Sequence, residues 1–139
     1  MKARYRNSLD TRWLYRQEDA VLRYNSYANA DRSMSFLREV LDHVWAAVAP
    51  TGRRKPTITA DRGTLHNGRA VSYCEGFTKI VLARSQRNVL VLLHEVTHAL
   101  GPCVHGRKFV KLYFRLLRKF GGYNLWFLQT LAAERGIVL

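Results

Sequence analysis

The sequence predicts an α+β fold in one domain spanning residues 1–139, and three observations carry that expectation. Helix-like apolar periodicity occupies both ends of the chain, short strand-like runs with Gly-containing turns fill the middle, and the length suits one domain. A hydrophobic fraction of 47% is enough for an ordinary core.

The elements follow in order. Residues from about Asp10 to Arg23 carry Trp13, Leu14, Ala20, Val21 and Leu22 among charges, a first helix. Met34, Leu37, Leu41, Val44, Trp45 and Val48 recur at three- and four-residue steps behind the capping candidates Asp31 and Ser33, so a second helix runs toward Pro50. Thr51-Gly52-Arg53-Arg54-Lys55-Pro56 reads as an exposed basic loop. Thr57-Ile58-Thr59-Ala60 suits a short strand, and Asn67-Gly68 signals a tight hairpin between strands at Gly63–His66 and Arg69–Cys74. Glu75-Gly76 marks a second turn, and Phe77 to Ala83, with Ile80-Val81-Leu82 inside it, reads as a buried strand. A strongly apolar helix is expected from Ser85 until Gly101-Pro102 ends it. Another begins at Gly106 and stops at Gly121-Gly122. Asn124 to Arg135 reads as a last helix anchored by Leu125, Trp126, Leu128 and Leu131.

Global properties narrow the setting. Twenty-three Lys and Arg against ten Asp and Glu give a formal charge of +13 and a pI near 10.5, which favours work near a polyanion, nucleic acid first among them. The segment Met1-Lys2-Ala3-Arg4-Tyr5-Arg6-Asn7 is basic but leads into no apolar stretch, so no secretory signal is expected. The longest aliphatic run, Val89 to Leu93, is far too short to span a bilayer. Cys74 and Cys103 make no disulfide framework, and a reduced cytoplasmic protein is the simplest expectation.

Chemistry concentrates on the apolar helix. His94-Glu95-Val96-Thr97-His98 is an H-E-x-x-H motif, and residues four apart on a helix share one face, so both imidazoles can reach one ion. Glu95 lies about 100° round the helix from His94, placed to bind the metal's water rather than the metal. Chance placement would produce the three fixed residues in roughly one such chain in two hundred, and here the motif also sits in a helix directly after a strand. Core histidines satisfied by hydrogen bonds are the usual explanation of either residue singly and stay the alternative for the pair, but the pair with Glu95 favours a metal site.

A catalytic zinc takes three protein ligands and keeps one open position. His43 lies within the second helix and His66 at a hairpin tip. His105 follows a tight loop through Cys103 and Val104 and directly precedes the next helix, which makes it the best third ligand. That next helix buries a stripe of Phe109, Leu112, Tyr113, Leu116, Leu117 and Phe120. Its opposite face carries Lys108, Lys111, Arg115, Arg118 and Lys119, the best localised candidate for nucleic-acid contact, although a solvated charged face needs no partner. Cys103 could ligate metal or act as a redox brake, but an ordinary loop thiol is the commoner case.

Together the H-E-x-x-H helix, its upstream strand and His105-Gly106-x-x-Phe109 resemble the zincin metallopeptidases of the SprT and Spartan type, in which a third His, then Gly and, after two further residues, an aromatic open the next helix. Closer still is the resemblance to a group of small zincin-type metallohydrolases of actinobacteria and their phages. That group also tends to begin with a segment like Arg12-x-x-x-Tyr15-x-x-Glu18-Asp19-Ala20. The resemblance implies a zincin-like fold, His94, His98 and His105 as Zn2+ ligands, Glu95 as general base, and a protein or peptide substrate. The chain departs from the pattern after His-Gly, where Arg107 and Lys108 replace the usual Pro and acidic residue, which leaves substrate preference open. It also lacks the Cys-rich zinc ribbon that many SprT-type proteins append. Tyr73 and Arg107 are candidates to stabilise an oxyanion. The rival expectation is a basic nucleic-acid-binding protein in which the metal site is structural or a relic.

Overall fold

In the computed structural model, residues 9–61, 64–66 and 69–139 are described. Among them lie six α-helices: α1 (Leu9–Ala20), α2 (Ser26–Asn29), α3 (Met34–Val48), α4 (Val89–Ala99), α5 (Arg107–Phe120) and α6 (Leu125–Ala133). Five strands fill the middle: β1 (Thr57–Asp61), β2 (Thr64–His66), β3 (Arg69–Val71), β4 (Tyr73–Glu75) and β5 (Lys79–Ala83). Strand β5 is central in a mixed sheet of order β1-β5-β4, parallel to β1 with Thr57 opposite Lys79 and antiparallel to β4 with Tyr73 opposite Val81. This is an α+β architecture. No described helix is long and apolar enough to cross a membrane.

Local chemistry sets the helix starts. The side chains of Ser33, Asn88 and Asn124 accept from the backbone N–H three residues on, satisfying donors that a helix N-terminus otherwise leaves unpaired. Asn25 does the same for α2, a single turn too short to leave a periodic signal. The helix expected from Ser85 therefore begins later. Arg84–Gln86 forms a 3-10 turn, and Asn88, buried at the edge of the core, is the residue that caps α4.

Other expectations are corrected by specific bonds. The strand expected over Arg69–Cys74 divides at Ser72, whose N–H and Oγ–H both donate to Gln86 Oε1 at 2.8 Å while its Oγ accepts from Ala83 N at 2.8 Å. Side-chain bonds there replace ladder bonds, so β3 pairs with β2 and β4 with β5. Strands β2 and β3 pair with His66 opposite Arg69, as a two-residue hairpin requires, while Asn67 and Gly68 themselves lie outside the described residues, as does Met1–Asn7. Phe77 belongs to the β4–β5 turn and not to the strand. In α6, Leu128 and Leu131 are buried but Trp126 is 73% exposed, so it does not anchor the helix.

Helix α4 is apolar on nearly every side because it is covered on nearly every side, by α2, α3, α5 and the sheet strands β4 and β5. Leu37, Leu41 and Val44 of α3, Ile80 and Leu82 of β5, and Phe109, Val110 and Leu116 of α5 join its Leu92, Leu93 and Val96 in one core cluster. Burying that helix holds His94 and Glu95 rigidly at the base of an open cavity. Helix α1 closes over the same region, held by buried Trp13 and Leu14 and by Trp13 Nε1–H donating to Glu134 Oε2 at 3.1 Å.

Candidate metal centre

His94 and His98, one helical turn apart on α4, and His105, on the loop leading into α5, bring three imidazoles together. His105 Nε2 lies 3.0 Å from His94 Nε2 and 3.1 Å from His98 Nε2, and all three ligand atoms fall within 4.8 Å of one another. The outer nitrogens explain the orientation. His98 Nδ1–H donates to the Pro102 carbonyl at 2.8 Å, and His94 Nδ1–H donates to Glu18 Oε2 at 2.8 Å. With a proton held on each Nδ1, the neutral form of either ring presents its Nε2 lone pair to the cluster. Three ring nitrogens this close need a proton or a cation among them. A tetrahedral zinc with three imidazole ligands would space the nitrogens at ~3.3 Å, so the donor set fits that ion.

Burial and neighbouring charge tune the same groups. Burial, then the charge of His94, lowers His98 to about 4, and burial with His94 and His98 lowers His105 to about 2. Both are therefore neutral near pH 7, the form in which an imidazole could hold a metal. Burial lowers His94 as well, but the Glu18 carboxylate outweighs it and raises the imidazole to about 8, so a metal bound there would displace a proton near neutral pH. Glu95, 5% exposed with Oε1 3.9 Å from His94 Nε2, stands beside the three nitrogens without joining them. Burial raises its pKa, against the opposing pull of His94.

The sequence expectations for His94, Glu95, His98 and His105 thus converge on one place. Tyr73 lines the cavity above them, a cleft of about 480 Å³. Arg107 does not. At the first position of α5 its Nη1–H donates to the Gly136 carbonyl at 2.9 Å, and it is corrected as a candidate to stabilise an oxyanion. Cys103 is exposed and, with Cys74, lines the cavity without joining the histidine cluster. His43 is exposed on α3.

Three contributors went unassigned in the sequence. Glu18 accepts from both His94 Nδ1 and the hydroxyl of fully buried Tyr113, the latter at 2.7 Å, and so joins α1, α4 and α5 at one carboxylate. Tyr113 reads as core from its spacing alone. Tyr15, three residues before Glu18 on the same helix face, packs its ring 6.1 Å from that of His94 and 5.1 Å from that of His105. Burial, then Glu18 and Glu95, raises its phenol to about 12, so it remains a hydrogen-bond donor. The available signal was the Tyr15-x-x-Glu18 spacing, which carries no role until the partners are known.

No family model, curated protein or solved structure matches the chain.

Proposed function

We propose that this is a zincin-like, zinc-dependent hydrolase, in its simplest form a metallopeptidase, with His94, His98 and His105 as ligands and Glu95 as general base. The observation that carries the reading is the convergence of three Nε2 atoms, two of them on rings oriented by bonds to Glu18 and Pro102. Zinc held there supplies Lewis acidity, which acidifies water and polarises a carbonyl. Glu95 accepts the proton of the attacking water at a carboxylate oxygen and returns it to the leaving amine. Its raised pKa suits a carboxyl that holds a proton between those steps. Glu18 keeps His94 in one tautomer, and the protonated Tyr15 phenol offers a donor at the cavity. The free thiols of Cys74 and Cys103 support a cytoplasmic setting.

The test separates metal from turnover. Purified protein is expected to hold one zinc per chain, to lose it on His94→Ala, and to keep it on Glu95→Gln while losing peptide hydrolysis. Zinc retained after His94→Ala, or turnover retained after Glu95→Gln, overturns the reading.

A second reading rests on α5. Lys108, Lys111, Arg115, Arg118 and Lys119 are all exposed, and none is ion-paired among the described residues. Lys111, Arg115 and Arg118 also line a small cleft of about 140 Å³ beside α6. Unneutralised cations along one helix face suit a phosphate backbone, so DNA or other nucleic acid is the proposed partner of this face. Replacing those three cations with Gln should weaken DNA binding and flatten its dependence on log salt by about two to three units. An unchanged slope would sink this second reading.

A further inference from the structure

Phe77 is the one residue other than glycine with a positive φ, 64°, among the described residues. It follows Gly76, φ 56°, in the tight turn joining β4 to β5, where Thr78 N donates to Glu75 O at 3.1 Å. Turns with two left-handed central residues favour Asn, Asp and Gly, and a bulky aromatic in that conformation is strained. Core packing does not account for keeping it, because the residue is 40% exposed. A neighbouring chain of contacts pins it instead. The Arg53 guanidinium lies over the ring, 5.6 Å from its centroid, and the same Arg53 donates from Nη1 to Ala99 O at the end of α4, at 3.1 Å. Trp45 Nε1–H in turn donates to Arg53 O at 3.2 Å. Strain held in place by surrounding structure is characteristic of functional positions.

What the strain achieves is a location. Phe77 lines the same cavity as His94, Glu95, His98 and His105, with Tyr15 and Tyr73 among the other lining residues. Among the described residues, no Lys or Arg lines that cavity. Three aromatic rings, those of Tyr15, Tyr73 and Phe77, thus stand among the described lining beside the histidines and offer apolar surface to a substrate side chain. We propose that Phe77 is a specificity-determining residue that contacts the side chain next to the scissile bond, and that the preferred substrate carries an aromatic or large aliphatic residue there. This inference rests on the hydrolase reading and deepens it.

The experiment measures binding, by calorimetry, of N-acetyl-phenylalanine hydroxamate and its alanine and aspartate counterparts to the zinc-loaded protein, together with the Tm of the ligand-free protein. Wild type should bind the phenylalanine probe about tenfold more tightly than the alanine probe, and the aspartate probe most weakly. Phe77→Gly should lose that tenfold preference, the phenylalanine probe binding no more tightly than the alanine probe. Its Tm should be equal to or higher than wild type, because glycine relieves the turn. Phe77→Leu should keep part of the preference. Preference retained in Phe77→Gly, or a Tm lowered by several degrees, overturns the proposal and makes Phe77 a structural residue. If the alanine probe binds normally in that case, the hydrolase reading stands. If no probe binds the zinc-loaded wild type, the hydrolase reading fails and this inference falls with it.

Discussion

Removing Glu18 asks how much of the proposed metal site is built outside its own helix. Glu18 Oε2 accepts from His94 Nδ1 at 2.8 Å and from Tyr113 OH at 2.7 Å, and both donors are buried. Glu18→Ala strands the two donors at about 1–3 kcal/mol each. Part of that is offset, since a carboxylate only 14% exposed no longer has to be kept desolvated. We expect a net loss near ~2 kcal/mol, or roughly 8 °C in Tm for a chain of this size. The effect on metal is separate. Loss of the partner that fixes a ligating imidazole weakens binding by about 10–100-fold, equivalent to ~1.4–2.8 kcal/mol. Glu18→Gln keeps an oxygen acceptor of nearly the same size and should fall at the tenfold end with a smaller Tm loss. Zinc competition against a chromophoric chelator gives the affinities, and thermal unfolding of metal-free protein gives the stability. Both variants binding zinc within about twofold of wild type, with the fold intact, would show that His94 needs no carboxylate behind it.

Three further outcomes are expected. Tyr15→Phe should lower kcat by about 10–100-fold with zinc affinity and KM unchanged; an equal loss from Tyr73→Phe, with Tyr15→Phe silent, would move the donor role to Tyr73. Zinc at a hundredfold excess over its Kd should stabilise the protein by ~2.7 kcal/mol, a rise of roughly 10 °C in Tm that chelation reverses and His94→Ala abolishes. Asn88→Ala removes the bond to Val91 N and should cost about 1 kcal/mol, seen as a Tm about 4 °C lower, whereas Ser85→Ala should change little.

What could be read in advance follows the range of the interaction. The H-E-x-x-H pair is legible because its contact spans one helical turn, and His105 because the loop returning it is short. Glu18 and Tyr113 were not, since they meet across 95 positions and nothing local marks either one. Tyr113 falls on the apolar stripe of α5, where a phenol that completes a site and one that merely fills a core have the same spacing. Ser85 and Asn88 are both good capping types, and only the packing of α4 against the core selects Asn88. Phe77 precedes an apolar run and so reads as strand, because no propensity rule places a phenylalanine in the left-handed region.

The carboxylate that links α1, α4 and α5 also orders events during synthesis. A chain made from its N-terminus releases Glu18 first, the His94–His98 pair much later, and His105 with Tyr113 last. For an ion held as proposed, the nascent pair offers two imidazoles whose rings nothing yet orients, so early capture is weak and exchangeable. Tight retention waits until α5 has emerged and docked. A product cut short before α5 therefore surrenders its ion to competing chelators, and metal content becomes a readout of completed synthesis.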